Sequence, residues 1–175
     1  VERIIDTDGN VIQFTWAGAA GVENLNQKFL QTITYGPGAG PIDPILGAAG
    51  FGATQGRLPF PVAGRTVLQV ARRPGIEGPG VDVRAAPGSV VRAVYPGRVA
   101  FADEYAAYGR TVIIDHGDRY FSVSAALGAI DVQVGDEVAA GAPLGTVARD
   151  LDGGSMYFEL RHGADTIDAA EWLGI

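Results

Sequence analysis

The pattern of apolar and polar positions in the first part of the chain predicts two short elements followed by an irregular segment. Apolar-rich runs on either side of Asp8-Gly9 predict a β-hairpin over residues 1–16, because Asp-Gly is a strong turn signal between such runs. Apolar side chains at helical spacing predict an amphipathic helix over residues 20–33. The stretch from residue 35 to residue 56 is rich in Gly and Pro, which predicts a linker or an irregular arm.

From residue 57 onward the pattern changes to short apolar runs of β type at close spacing. Gly or Pro lies in most of the gaps, and many short strands separated by turns predict an all-β sandwich or barrel. We therefore expect two parts, a mixed N-terminal arm over residues 1–56 and a β domain over residues 57–175. The predicted strands cover residues 66–70, 81–83, 90–94, 98–101, 111–115, 120–124, 137–138, 144–147 and 156–160.

Two stretches of the β part share one pattern, which predicts an internal repeat. Pro87–Val99 and Val134–Val147 each place a Gly two to three residues before a Val, and a second Gly nine or ten residues after the first. Two copies of one strand–turn–strand unit predict a barrel made of two pseudo-symmetric halves. The alternative is a chance similarity between Gly-rich hairpins.

Composition and charge narrow the class of protein. The 175 residues, 47% of them hydrophobic, suffice for one compact domain with a core. The net charge is −7 and the 13 basic residues are scattered, so nucleic acid is not expected as a partner. The absence of Cys excludes disulfides, zinc fingers and thiol catalysis. No transmembrane run or signal peptide is visible, and because Val1 is not a natural start we expect a fragment whose targeting segment has been removed.

Several sequence blocks, in their order and spacing, carry a family resemblance. The blocks are Gly56–Gly64, Gly80–Gly88, Val94–Val99, Tyr108–Gly117, Val134–Val138 and Tyr157–Arg161. Together they resemble the LytM/lysostaphin-type zinc endopeptidases over about two thirds of the chain. The resemblance implies a duplicated hybrid motif, a barrel-sandwich of two halves, for residues 57–175.

The resemblance also locates the metal site of active family members, and this chain departs from it. Active members bind one Zn²⁺ through His-x-x-x-Asp and the second His of His-x-His, while two further His assist catalysis. These positions fall on Gly78, Asp82, Ala126, Ser155 and Tyr157, of which only Asp82 keeps the family's residue. Three protein ligands are the usual minimum for catalytic zinc, so we expect no metal, no cofactor and no enzymatic activity. An active zinc endopeptidase is the least favoured function.

Within the family, the Arg57–Gly64 opening, the Tyr157–Arg161 strand and the Glu171–Gly174 ending resemble EnvC-type murein hydrolase activators. That resemblance implies a periplasmic, non-enzymatic protein of cell division. Such a protein binds an N-acetylmuramoyl-L-alanine amidase and switches it on for septal peptidoglycan splitting. These activators contact the FtsEX membrane complex through an upstream coiled coil. Because residues 1–56 show no sustained heptad, a link to FtsEX would need an upstream region that this chain lacks.

The predicted partner-binding groove combines the former metal-site positions with one wall. Its residues are Gly78, Asp82, Tyr105, Tyr108, Arg110, Ala126, Ser155 and Tyr157. For the wall residues the alternative is ordinary packing at a turn, and for Asp82 it is a turn-stabilising acceptor or an inherited relic. The groove could instead hold peptidoglycan stem peptides without cutting them, which would make the chain a peptidoglycan-binding module. The arm either lies across the groove or packs outside it.

Overall fold

Strands make up nearly all of the regular structure in the computed structural model, which describes residues 2–5, 11–18, 28–35, 50–62, 67–70, 80–151 and 153–175. The strands are β1 (Glu2–Ile5), β2 (Val11–Gly18), β3 (Lys28–Tyr35), β4 (Val67–Val70), β5 (Val81–Arg84), β6 (Val90–Arg92), β7 (Gly97–Tyr105), β8 (Gly109–Asp115), β9 (Tyr120–Ile130), β10 (Glu137–Val138), β11 (Pro143–Asp150), β12 (Gly153–His162) and β13 (Asp165–Ile167). Two 3-10 helices, Phe51–Thr54 and Ala106–Tyr108, and helix α1 (Ala169–Leu173) are added to them. No helix of these residues has the length and apolar character needed to cross a membrane.

The all-β class is confirmed, and every strand predicted between residues 66 and 160 is present with bounds that differ by a few residues. Strand β13 and helix α1 were not predicted. Helix α1 is only five residues long, which is too short for a periodic apolar pattern. The Asp168 carboxylate caps it by accepting from Ala170 N at 2.9 Å.

The first three strands form a separate antiparallel sheet in the order β1-β2-β3. Ile4 pairs with Ile12, which confirms the predicted hairpin. The helix predicted over residues 20–33 is wrong for residues 28–33, which belong to β3; residues 20–27 lie outside the described residues. Lys28–Tyr35 is rich in β-branched and aromatic residues, and β2 supplies hydrogen-bond partners that outweigh the helical spacing. Strand β3 lies against the 3-10 helix Ala106–Tyr108.

The other ten strands form one sheet in the order β10-β7-β8-β9-β11-β12-β5-β4, with β6 beside β11 and β13 beside β12. Strand β9 pairs with β12 as far as Ala125 and with β11 from Leu127 onward. Between them, Ala126 has a φ of +56°, a left-handed conformation that costs an alanine about 1 kcal/mol or more. This irregularity lets a single strand serve two neighbours, as β-bulges do where sheets bend.

The predicted repeat is present as two units that pair with each other. Strand β7 pairs with β10, and β6 pairs with β11. Gly135 donates its N–H to Val99 O at 2.8 Å, and Gly88 donates its N–H to Val147 O at 3.0 Å. Gly88 and Gly135 have φ values of +81° and +95°, where a side chain would be strained, so equivalent turns need glycine in both units.

Alternate residues of β12 belong to two different buried clusters. Met156, Phe158 and Leu160 lie in the main core, whereas Tyr157 lies in a smaller cluster. Since successive strand residues point to opposite faces, the clusters lie on opposite sides of the sheet at β12. The smaller cluster consists of Ala100, Phe101, Tyr105, Tyr108, Ile113, Phe121, Val123, Ala125 and Tyr157.

The end of the Gly-rich stretch packs into the β domain. Phe51 is 1% exposed, and its ring stacks on His116 at a centroid distance of 4.7 Å and on Trp172 at 5.1 Å. Leu58 N also donates to Trp172 O at 3.2 Å. Division of the chain at residue 56 stays a prediction, but residues 50–56 pack as part of the β domain.

Candidate functional site

The positions expected to carry a metal site meet on one face of the large sheet. Tyr157 of β12 pairs with Asp82 of β5 on one side and with Ala125 of β9 on the other. Residues paired across antiparallel strands have their side chains on the same face of the sheet. Ser155, two positions before Tyr157 on β12, lies on that face as well. Ala126 follows Ala125 at the irregular position of β9. We call this surface the site face.

The predicted groove residues differ in their exposure. Asp82, Ala126 and Ser155 are partly exposed and Arg110 is exposed, whereas Tyr105, Tyr108 and Tyr157 are buried. Gly78 lies outside the described residues. A partner on the site face would therefore contact Asp82, Ala126 and Ser155, whereas Arg110 pairs with Leu127 of the main core at the end of β8.

The three buried tyrosines contact one another in sequence. The rings of Tyr105 and Tyr108 are 6.4 Å apart, and those of Tyr108 and Tyr157 are 5.8 Å apart at an interplanar angle of 69°. Edge-to-face packing of this kind stabilises aromatic pairs by about 0.5–1.5 kcal/mol. Nearby, Arg110 Nη1 donates to Gly128 O at 2.7 Å, which holds this side chain beside β9.

Gly80 makes the position of Tyr157 possible. A Cβ built on Gly80 would lie 2.2 Å from the Tyr157 hydroxyl oxygen and 2.4 Å from its Cζ. No side chain fits there while the phenol keeps its place. Sequence reasoning placed Gly80 in a family block but assigned it no role, because the clash arises only when β5 lies beside β12.

A buried polar network starts from the Tyr157 hydroxyl. This group donates to Glu159 Oε2 at 2.6 Å, and Arg161 Nε donates to Glu159 Oε1. The side chains of Glu159 and Arg161 are 0% and 3% exposed. Sequence reasoning missed both residues as members of the site. The available signal was alternation, because polar residues at 157, 159 and 161 interleave with Met156, Phe158 and Leu160.

The network keeps its phenols protonated. Burial raises the pKa of Tyr157 far above its ordinary value, and the Glu159 charge and the hydrogen bond to Glu159 raise it further. Burial likewise raises the pKa of Tyr108, as does the Glu159 charge, against a smaller opposing effect of Arg161. Both side chains are therefore neutral at physiological pH and present no anionic oxygen.

These residues do not fit the zinc ion that the fold implies. A metal ligand must be deprotonated, and the Tyr157 phenol is held in its protonated form. Ala126 has no ligating atom, and the Ser155 hydroxyl donates to Asp150 Oδ2 at 2.6 Å. Across the described residues, no group of three or more His, Asp or Glu side chains is placed to hold a metal ion.

A second polar group, around His116, packs against Phe51. Because a carbonyl oxygen only accepts, His116 Nδ1 donates to Pro96 O at 2.8 Å, and Nε2 accepts from the Ser122 hydroxyl at 2.8 Å. Burial lowers the pKa of His116 to about 4. Burial raises the pKa of neighbouring Asp115 to about 6, although the Gly117 N–H favours its charged form.

A profile described as Peptidase family M23 matches residues 77–169. The chain is 37% identical over 132 residues to NMB1333 of Neisseria meningitidis serogroup B, covering 74% of this chain and 22% of that protein. It is 31% identical over 147 residues to the murein hydrolase activator EnvC of Escherichia coli K12, covering 81% and 35%.

The fold has matches among solved structures. A Pseudomonas aeruginosa protein described as peptidase M23 aligns with a TM-score of 0.58 at 28% identity, over 67% of this chain and 50% of that one. The chain thus spans about a fifth to a half of the length of these proteins.

Proposed function

Because the chain belongs to peptidase family M23, we propose that it regulates cell-wall hydrolysis and does not itself cut the wall. One observation carries the proposal: the Tyr157 hydroxyl is buried and hydrogen-bonded to Glu159, at the position that the sequence resemblance assigns to a zinc ligand of active members. A buried, protonated phenol cannot replace an imidazole ligand. Similarity to EnvC, a murein hydrolase activator, supports a regulatory role instead of a hydrolytic one.

The proposed partner is a periplasmic N-acetylmuramoyl-L-alanine amidase, which this chain switches on during septal peptidoglycan splitting. The amidase docks on the site face, where it contacts Asp82, Ala126 and Ser155, and it reaches Arg110 at the end of the neighbouring strand β8. In this proposal the groove captures a helix of the amidase and displaces it from the amidase active site. A link to FtsEX would run through a region upstream of this chain.

The buried residues of the site face have a part in this proposal. Tyr105, Tyr108 and Tyr157 form a rigid floor, and Gly78 belongs to the same groove by its sequence position. A surface whose floor is already packed loses little conformational freedom when a partner docks, so more of the contact energy appears as affinity. The Glu159 carboxylate, paired with Arg161, holds the Tyr157 hydroxyl of that floor.

The test is release of labelled fragments from purified sacculi by the chain alone, by a candidate amidase alone and by both together. We expect no release by the chain alone and several-fold faster release by the amidase when the chain is added. Arg110→Ala should weaken this stimulation. Arg98→Ala, a partly exposed arginine paired with Glu137 on another strand, is the matched control and should not.

Two outcomes would contradict the proposal. Release by the chain alone, with stoichiometric zinc in a metal analysis, would show an active peptidase. Binding to sacculi without any effect on the amidase would identify a peptidoglycan-binding module.

A further inference from the structure

The smaller cluster lies on a face of the large sheet that is dry although its members come from a single layer. They belong to the neighbouring strands β7, β8, β9 and β12 and to the 3-10 helix Ala106–Tyr108, which joins β7 to β8. No other element of the described residues contributes a buried apolar side chain to this cluster. Each member is nevertheless at most 8% exposed. A sheet face is this dry only beneath a second layer, so another part of the chain covers it.

The covered area extends along β12 in one direction and ends in the other. Glu159 and Arg161 lie on the same face as Tyr157 by strand alternation, and their side chains are 0% and 3% exposed. In the other direction Ser155 is partly exposed, as is Asp82, which pairs with Tyr157. The cover on the site face therefore ends between Tyr157 and Ser155.

The β1-β2-β3 sheet has an apolar face that needs a layer to pack on. Positions paired across antiparallel strands share a face, and alternate positions along a strand do so too. The apolar positions that the register places on one face are Ile4, Ile12, Phe14, Trp16, Leu30, Ile33 and Tyr35, with Glu2 beside them on the edge strand β1. The centre of the opposite face consists of the polar positions Gln13, Thr15, Thr32 and Thr34. Antiparallel sheets of this kind bury the apolar face and leave the polar face in water.

The structure brings these two sheets together at the tyrosines. Strand β3 lies against the 3-10 helix Ala106–Tyr108, which directly follows Tyr105. The apolar face of the small sheet and the dry face of the large sheet thus adjoin, and packing one on the other removes both from water. Interfaces as apolar as this resemble a domain core cut in half and belong to permanent associations. A docking partner therefore does not lift the small sheet.

We propose that the β1-β2-β3 sheet is a fixed second layer over the tyrosine end of the site face. Its edge then forms one wall of the binding site, whose open part is the end with Asp82, Ala126 and Ser155. The covering layer is independent of the proposed function, whereas entry of a hydrolase at the open end rests on that function. The partner that fits inserts a narrow element beside the wall, since a broad flat surface meets the small sheet first.

Disulfide trapping in the full chain tests the layer, because the chain has no cysteine of its own. Ala107→Cys in the 3-10 helix is combined in turn with Leu30→Cys, Ile33→Cys and Tyr35→Cys on the apolar face of β3. We expect at least one pair to oxidise to a monomeric disulfide, which forms only where the two Cα atoms come within about 7 Å. Ala107→Cys with Ala164→Cys, in the turn after β12, is the matched control and should stay reduced.

A second measurement tests which face of the small sheet is covered. Phe14→Asp introduces a charge on the apolar face and should lower the urea midpoint by roughly 1 M or more, or prevent folding. Thr15→Asp, the next position of the same strand on the opposite face, is the control and should lower it much less. Equal effects of the two substitutions would overturn the assigned orientation.

The sacculus assay then separates a fixed layer from a movable one. The trapped chain should stimulate the amidase as well as the same chain after reduction. Stimulation that only the reduced chain shows would mean that the sheet is a removable gate and would overturn the inference. Failure of every β3 pair to oxidise would overturn the layer and leave the proposed function intact. No stimulation by either form, with the disulfide formed, would overturn the proposed function and the entry at the open end while supporting the layer.

Discussion

The hydroxyl of Tyr157 donates a 2.6 Å hydrogen bond to the carboxylate of Glu159 where solvent reaches neither side chain. Arg161 holds the other oxygen of the same carboxylate. A carboxylate buried in this way needs both partners, because an unpaired buried charge is costly. The polar groups at this part of the site face are therefore satisfied within the protein.

Removing the hydroxyl tests this relationship. Tyr157→Phe keeps the ring and leaves Glu159 Oε2 without its donor, so we expect the free energy of unfolding to fall by about 1–3 kcal/mol. Urea denaturation followed by circular dichroism measures it. Tyr120→Phe is the control, since within the described residues no hydrogen bond of the Tyr120 hydroxyl is seen, and it should change stability less. Equal effects of the two substitutions would contradict the assigned role.

The close approach of Gly80 to Tyr157 predicts a coupled pair of substitutions. Gly80→Ala places a methyl group 2.2 Å from the Tyr157 hydroxyl oxygen and should destabilise the fold by about 1–3 kcal/mol. In the Tyr157→Ala background that clash is absent, so the added cost of Gly80→Ala should largely vanish. A double-mutant cycle measures the coupling. Additive effects would mean that Gly80 serves the backbone and not the phenol.

Asp115 and His116 predict opposite pH dependences. The pKa of Asp115 rises from 3.8 to about 6 on folding, so between those values the folded chain keeps a proton that the unfolded chain releases, and acidification stabilises. The pKa of His116 falls from 6.5 to about 4, so acidification through that range destabilises. Each effect is worth about 3 kcal/mol, and in the unchanged protein they largely cancel.

Single substitutions should expose each effect. With Asp115→Asn the free energy of unfolding should fall as pH goes from 6.5 to 4, and with His116→Gln it should rise over the same range. Urea titrations at the two pH values, each variant against the unchanged protein, measure the difference. Parallel pH profiles for all three proteins would show that neither group titrates as its burial implies.

Phe51 predicts that the β domain starts before residue 56. Phe51→Ala removes the centre of a buried aromatic group and should cost about 3–5 kcal/mol. Phe60→Ala, at a side chain that is 39% exposed, is the control and should cost much less. Thermal unfolding compares them. A small loss of stability on Phe51→Ala would contradict this and would mean that residues 50–56 belong to the N-terminal arm.

Features that depend on local interactions could be predicted from the sequence, and features that depend on distant segments could not. Strand runs such as residues 111–115 and the glycines of the repeat were predictable, because alternation and positive-φ turns are properties of a few neighbouring residues. Residues 28–33 were not, since their apolar spacing suits a helix and their β-branched composition suits a strand. Pairing with β2, an earlier segment of the chain, decided between them.

The sequence alone determined the all-β class, the duplicated unit and the presence of only two His, because each depends only on which residue types stand at which positions. Tertiary structure decided that Tyr157, Glu159 and Arg161 form a buried network, that Gly80 must lack a side chain, and that Phe51 joins the core. The reason is physical. Alternation along β12 tells which residues share a face, but only packing of β5, β9 and the 3-10 helices against it determines which face water can reach.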